Sequence, residues 1–174
     1  HKKESSIKSS YDIAKRWKQK GNRLFFKTNE EEYYFEMPIG WNITDTHEDL
    51  FRISHHFLCS PWEAGILDGW TPSRTKGWRP GLAFSGGVDS TACMHLMPPE
   101  TLLFYHQRDG FKSNLNHTNA FRFIEKLRED GKQVVAVKSN HEQIRVQHGK
   151  SAGFSTDLAG AVHVILLADF FELG

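Results

Sequence analysis

Cysteine is scarce in this 174-residue sequence, which contains only Cys59 and Cys93. Two cysteines form no disulfide framework, and the sequence has no Cys-x-x-Cys pair for zinc or redox chemistry. Long apolar runs are missing too, because the longest, residues 161–168, is far shorter than the roughly 20 residues of a membrane-spanning helix. A signal peptide is also absent. We therefore expect a soluble, cytoplasmic protein without a membrane partner.

A large net charge is missing as well, since 22 basic and 21 acidic residues leave a formal charge of +1. The charges are unevenly placed: residues 1–27 hold nine Lys or Arg and two acids, whereas the remaining chain holds 13 basic and 19 acidic residues. A basic, aromatic segment can bind RNA, and a solvated surface is the alternative interpretation. The RNA hypothesis uses Lys15, Arg16, Trp17, Lys18, Lys20, Arg23 and Phe25.

One glycine-rich stretch carries the strongest functional signal. Residues 82–91 read Leu-Ala-Phe-Ser-Gly-Gly-Val-Asp-Ser-Thr, which predicts the end of a buried strand, a turn and the start of a helix. Gly86 and Gly87 permit a tight turn that leaves main-chain N–H groups facing outward where the helix begins. Such a concavity binds anions, and short polar side chains can add donors and a metal ligand. These side chains are Ser85, Asp89, Ser90 and Thr91.

The segment from Ser85 to Ser90 resembles the Ser-Gly-Gly-x-Asp-Ser loop of the N-type ATP pyrophosphatases, the PP-loop superfamily. Its members include GMP, NAD, asparagine and argininosuccinate synthetases, tRNA thiouridylases and 7-cyano-7-deazaguanine synthases. The resemblance covers roughly residues 80–174. The stretch is not a Walker P-loop, because no Lys follows Gly87 at the required place, and it is not a Rossmann Gly-x-Gly-x-x-Gly.

The resemblance implies Mg²⁺-dependent cleavage of ATP to AMP and pyrophosphate, in which a substrate oxygen attacks the α-phosphate. A nitrogen or sulfur nucleophile would then displace AMP, as in a ligase, a synthetase or a nucleobase-modifying enzyme. The implied catalytic residues are Ser85, Asp89 and Ser90, and Asp89 is the implied metal ligand. The implied ATP-binding residues are Ala83, Phe84, Ser85, Gly86, Gly87, Val88, Asp89, Ser90, Thr91 and His106.

The second substrate, a small molecule or a nucleobase, stays open at this point, as does the oligomeric state. The nearest members are of the deazaguanine synthase or asparagine synthetase type, whereas thiouridylases use catalytic cysteine pairs that this chain lacks. One alternative function is an RNA-binding, tRNA-modifying PP-loop enzyme, and another is a non-catalytic nucleotide-binding module. Intact Ser85, Asp89 and Ser90 favour an enzyme.

The C-terminal half alternates strands with helices, which predicts an α/β fold with a Rossmann-like parallel sheet. The predicted strands are residues 81–84, 101–105 and 133–137, and the predicted helices are residues 89–96, 118–129 and 156–171. The resemblance implies five strands in the order 3-2-1-4-5, of which this chain supplies the first three. Four polar residues, 106–109, would leave the second strand, where Arg108 and Asp109 could bind ligand or pair with each other.

The N-terminal half predicts a small β-rich α+β region over residues 1–78, preceding a C-terminally incomplete PP-loop domain over residues 79–174. Residues 23–28 and 32–37 predict a hairpin, and residues 11–17 suit a third strand or a helix. A helix is expected over residues 47–58, with caps from residues 44–46. The loop over residues 60–80 contains three tryptophans, which suggests that it packs against the body.

Ten histidines raise the hypothesis of a zinc site at His47, His55 and His56. Their spacing matches no strong ligand pattern, and only His55 could share a helix face with neighbours one turn away. The remaining cysteine in the motif helix, Cys93, is predicted to be a core thiol.

Overall fold

The structure, a computed structural model, describes residues 10–110, 116–148 and 157–174 of the chain. Its strands are β1 (Trp17–Lys20), β2 (Arg23–Lys27), β3 (Glu32–Glu36), β4 (Gly81–Ala83), β5 (Leu102–Arg108) and β6 (Val134–Ser139). Its helices are α1 (Ile13–Arg16), α2 (Glu48–Cys59), α3 (Val88–Leu96), α4 (Thr118–Glu129), α5 (Gln143–Gln147), α6 (Asp157–Gly160) and α7 (Val162–Leu166). The strands form one mixed sheet in the order β1-β2-β3-β6-β5-β4. The predicted α/β class is confirmed.

The parallel part of the sheet consists of β4, β5 and β6, which lie side by side in chain order. Helices cover both of its faces, so alternate side chains of β5 enter different cores. Phe104 packs in the larger core, to which α2 and α7 contribute, and Leu103 packs in the smaller core with α3 and α4. Burial on both faces explains why residues 102–105 form an unbroken apolar run.

The antiparallel part consists of β1, β2 and β3, and it contains the predicted hairpin. It extends the same sheet, because β3 pairs with β6 where Phe35 faces Ser139. The Ser139 hydroxyl donates a hydrogen bond to the Tyr34 carbonyl at 2.6 Å, and the Tyr34 N–H donates to the Asn140 side chain at 2.8 Å. Residues 1–78 and 79–174 thus share one sheet and one large core among the described residues, and a domain division at residue 78 stays a prediction.

Several helices and strands begin or end at other residues than the sequence predicts. Of the strand and the helix that residues 11–17 could form, the helix is found at Ile13–Arg16 as α1, and the third N-terminal strand begins at Trp17. Residues 106–108 belong to β5 and do not follow it, since β6 offers them parallel partners as far as Ser139. The last predicted helix is broken at Ala161 into α6 and α7. The prediction of a core thiol at Cys93 is wrong, because Cys93 is exposed on α3.

The long segment between α2 and β4 packs against the body through one carboxylate. Asp49, buried in the first turn of α2, accepts hydrogen bonds from Trp70 Nε1 at 2.7 Å and from the N–H groups of Ser73 and Arg74 at 2.6 and 2.7 Å. This agrees with the prediction that the segment packs down, although Trp78 remains exposed. None of the helices in the described part of the chain has the length and apolar character to cross a membrane.

Candidate active site

The glycine turn after β4 is closed by its own serines. Gly86 has a φ of +78°, which lets the chain reverse immediately after Ser85. The Gly87 N–H donates to Ser85 Oγ at 3.2 Å, and Ser90 Oγ donates to the Gly87 carbonyl at 3.1 Å. The Ser85 N–H also donates to Ser90 Oγ, at 3.3 Å. Hydrogen bonds therefore connect the two predicted serines and stabilise the conformation of the turn.

The first turn of α3 follows directly from this loop. Its N-cap residue is Gly87, and no side chain caps the helix. The first N–H groups of a helix have no partners within it, so they remain as donors for an anion beside the positive end of the helix dipole. The side chains of Val88 and Asp89 are exposed, so the Asp89 carboxylate is accessible to a metal ion. Thr91, the last residue of the predicted loop set, is partly buried in this turn.

A cavity of about 380 Å³ opens at the carboxyl ends of β4 and β5. Four of the predicted ATP-binding residues line it, namely Ala83, Phe84, Ser85 and His106. The other predicted residues lie in the loop and the first turn of α3, and Ser90 is connected to the cavity wall through Ser85. The structure thus brings the strand end, the start of the loop and His106 together around one space. Its volume lies within the range of small-molecule sites.

Three histidines pack together beside this cavity, and two of them, His106 and His163, line it. The ring of His106 lies 4.5 Å from that of His141 and 5.4 Å from that of His163, measured between centroids. Burial, and then the two neighbouring imidazoles, lower the pKa of His106 far below its ordinary value. Burial likewise lowers the pKa of His141 to about 3 and that of His163 to about 4. The histidine wall of the cavity is therefore uncharged at neutral pH and presents imidazole rings rather than imidazolium cations.

Arg108 and Glu142 form a second polar group in the same cavity. Arg108 Nε lies 2.8 Å from Glu142 Oε2, and its NH2 group donates to Oε1 at 3.3 Å. Arg108 does not pair with Asp109, as one interpretation expected, because Asp109 accepts a hydrogen bond from the Tyr34 hydroxyl and lies 4.0 Å from Lys138. The Arg108 cation is thus already neutralised by a buried carboxylate.

No protein-family model, no curated protein and no solved structure matches this chain. The resemblance of the Ser85–Ser90 segment to the PP-loop superfamily therefore remains a prediction. What the site can do follows from its own residues.

Sequence reasoning missed several residues that line the cavity, among them one carboxylate and two histidines. Glu142 is the N-cap residue of α5, His117 precedes α4, and His163 lies in α7. His117 is held in place because its Nδ1 accepts from the Tyr105 hydroxyl at 2.6 Å, while Nε2 donates to the Arg108 carbonyl at 3.1 Å. No short motif marks these positions. Only their location next to the carboxyl ends of parallel strands could have indicated them.

Proposed function

We propose that the chain binds Mg²⁺–ATP at residues 85–90 and cleaves it to AMP and pyrophosphate while adenylating a substrate oxygen. The observation that carries this proposal is the closed turn between Ser85 and Ser90 at the end of β4, beside a cavity large enough for a nucleoside. Ligands of open parallel sheets lie at the carboxyl ends of the strands. A turn of outward N–H groups and hydroxyls at that edge suits a pyrophosphate.

The Asp89 carboxylate is the residue that would hold Mg²⁺. Mg²⁺ prefers oxygen ligands and is usually bound through one or two carboxylates together with substrate phosphates and water. An exposed carboxylate in the first helical turn fits this requirement. The ion would neutralise phosphate charge, while the serine hydroxyls and the main-chain N–H groups orient the pyrophosphate as a leaving unit. Among the described residues, neither the loop nor the cavity lining includes the lysine of a Walker loop that would mark the γ-phosphate for transfer.

The adenosine would occupy the cavity next to Ala83 and His106. The histidine wall is neutral and Arg108 is paired with Glu142, so this space suits an uncharged base rather than a phosphate. A flat imidazole can stack on a nucleobase. We also infer that β4, β5 and β6 correspond to the first three strands of the PP-loop sheet, because they occur in the order 3-2-1.

Calorimetric titration with Mg²⁺–ATP tests the binding part of this proposal. We expect Asp89→Asn to weaken Mg²⁺–ATP binding at least about tenfold, because a metal ligand is lost, and to leave metal-free AMP binding unchanged. Asp130→Asn is the matched control, since Asp130 is an exposed acid at the end of α4. Equal Mg²⁺–ATP affinity in both variants would refute the role of Asp89.

Product analysis tests the chemical part. With an acceptor from the carboxylate or amide-oxygen class and a nitrogen nucleophile such as ammonia, we expect pyrophosphate from the adenylation step and AMP from displacement of the adenylate, with ¹⁸O moving from the acceptor into AMP. ADP and phosphate would contradict adenylation even if ATP occupies the loop. Binding without turnover across the acceptor panel would favour the non-catalytic module.

A further inference from the structure

A second group of potential ligand atoms lies at the C-terminal end of α2, in a part of the molecule that the proposed ATP chemistry does not use. His55, Cys59 and Glu63 each present one such atom, and the three atoms lie within 4.8 Å of one another. His55 and Cys59 are buried, and Glu63 is partly buried. His47 and His56, which the sequence analysis combined with His55 in a zinc hypothesis, do not belong to this group, and His47 instead caps the start of α2.

Helical geometry explains why these three side chains converge. They are four residues apart, and side chains at this spacing share one face of a helix. The helical hydrogen bonds continue past Cys59, because the Ser60 N–H donates to the His56 carbonyl at 2.8 Å and the Glu63 N–H donates to the Cys59 carbonyl at 2.9 Å. The Glu63 side chain therefore lies on the same helical face as those of His55 and Cys59, although Glu63 lies beyond the end of α2.

The imidazole of His55 is held with one nitrogen pointing into the group. Its Nδ1 lies 3.0 Å from the Tyr11 hydroxyl, which accepts a hydrogen bond from Trp17 Nε1 at 2.9 Å. Its Nε2 lies 3.2 Å from Glu63 Oε2, outside hydrogen-bond geometry, and has no other partner among the described residues. His55 is only 5% exposed, so this nitrogen is a buried polar atom without a hydrogen bond.

The carboxylate of Glu63 is oriented from its other side. Arg16 donates to Oε1 at 2.8 Å, which leaves Oε2 facing the imidazole. In metal sites, a second residue typically hydrogen-bonds to one oxygen of a ligating carboxylate while the other oxygen faces the metal. The second ring nitrogen of a ligating imidazole is typically held in the same way.

We propose that His55, Cys59 and Glu63 bind one transition-metal ion of the zinc type through Nε2, Sγ and Oε2. An imidazole, a thiolate and a carboxylate form a ligand set for Zn²⁺ or Co²⁺ rather than for Mg²⁺. Two ligands at about 2.1 Å from a tetrahedral zinc ion lie about 3.4 Å apart. The observed 3.2 Å between Nε2 and Oε2 is close to this edge length.

The fourth position would be reached from solvent. A cavity of about 310 Å³ is lined by both Cys59 and Glu63, and by Trp62 and His148, whose rings stack at 4.1 Å. Three protein ligands and an open position are typical of zinc ions that keep a water or a small anion. The ion would join the end of α2 to the segment that follows it.

Substitution with Co²⁺ tests this site in the 174-residue chain after treatment with a chelator. We expect one Co²⁺ per chain, with the visible spectrum of a tetrahedral ion and a thiolate-to-cobalt charge-transfer band. Cys59→Ser should abolish the charge-transfer band, and His55→Gln should weaken Co²⁺ binding at least about tenfold. The matched controls are Cys93→Ser, at the exposed cysteine, and His56→Gln, on the same helix, and both should leave the spectrum unchanged.

Absence of the charge-transfer band in the unaltered chain would overturn the proposal. So would an equal band in Cys59→Ser, because the thiolate that binds cobalt would then belong to another residue. If Cys59→Ser does not fold, X-ray absorption of the zinc-loaded, unaltered chain decides instead. One sulfur ligand per zinc in the Cys93→Ser background supports the site, and ligation by nitrogen and oxygen alone refutes it.

Discussion

The side-chain oxygens of Ser85 and Ser90 lie 3.1 Å apart across the glycine turn that follows β4. The chain reverses over the four residues between these two hydroxyls, and the reversal depends on the positive φ of Gly86. Hydroxyls and N–H groups that are positioned in advance do not need to be ordered when a phosphate binds. The shape of the backbone, more than any one side chain, is therefore what the proposed pyrophosphate site requires.

Gly86→Ala should lower ATP affinity at least about tenfold. An added Cβ at this position would meet Phe123 Cδ1 at 3.8 Å, an ordinary contact, so the effect should come from the left-handed backbone that alanine disfavours. Calorimetric titration with Mg²⁺–ATP measures the effect.

The matched control is Gly131→Ala, because Gly131 has a similar φ of +83° with no atom within 4 Å of an added Cβ, and it follows α4. It should cost about 1 kcal/mol of unfolding free energy and leave ATP affinity unchanged. Equal ATP affinities in the two variants would show that the turn does not contact the nucleotide.

Asp49→Asn should lower the free energy of unfolding by about 1–3 kcal/mol, because an amide nitrogen would then face N–H donors of the following segment. Burial alone would raise the pKa of the Asp49 carboxyl, but hydrogen bonds from Ser73, Trp70 and Arg74 together hold it below its usual value. The stabilisation is therefore present above about pH 4 and is lost as the pH falls through the lowered pKa. Urea unfolding at pH 7, with the exposed Asp45→Asn as control, measures the difference; equal midpoints would contradict it.

Acid should destabilise the fold through the histidine group. The pKa values of His106, His141 and His163 are lowered in the folded chain, whereas in the unfolded chain each titrates near pH 6.5. The stability that their neutral forms provide is present above pH 6.5 and is lost progressively below it. Each histidine should contribute about 1 kcal/mol to the loss between pH 6.5 and 5.5.

Urea unfolding of His163→Leu at both pH values tests this contribution. The loss of stability should be about 1 kcal/mol smaller than in the unaltered chain, since one titrating group is removed. His95→Leu, at an exposed position of α3, should show the full loss. An unchanged loss in His163→Leu would mean that this imidazole does not titrate differently in the folded state.

Single-residue substitutions test the RNA hypothesis better than a deletion of residues 1–27 would. Trp17 is a core residue, and Arg16 and Arg23 pair with Glu63 and Glu36. Deleting residues 1–27 would therefore remove two strands of the sheet. Among the residues of the RNA hypothesis, the exposed lysines remain as candidate phosphate contacts, and they are Lys15, Lys18 and Lys20.

If this surface binds RNA, replacing these three lysines by glutamine should weaken binding and reduce the salt slope of log K by about 2, or about 0.7 for each phosphate contact to single strands. Filter binding at several salt concentrations provides the measurement, and Lys126→Gln and Lys132→Gln on the opposite half of the chain provide the comparison. RNA affinity that does not change would identify an ordinary solvated surface.

Local signals in the sequence predicted the hairpin of β2 and β3, the bounds of α4 and the turn between β4 and α3. In each case short-range preferences decide the outcome, because glycines, helix periodicity and alternating apolar residues restrict the backbone without a distant partner. The predicted loop serines also converge for this reason, since they are five residues apart on one turn.

Pairings with distant residues were decided by the tertiary structure alone. The polar residues His106 to Arg108 continue β5 because β6 provides parallel partners, and β3 joins β6 through Phe35 and Ser139. Burial of His141 and His163 around His106 depends on the same packing. The alignment of His55, Cys59 and Glu63 needed hydrogen bonds that continue the helical path beyond the end of α2. Such contacts depend on how segments that are distant in the sequence pack together. The hydrophobic periodicity of one segment does not show which other segment packs against it.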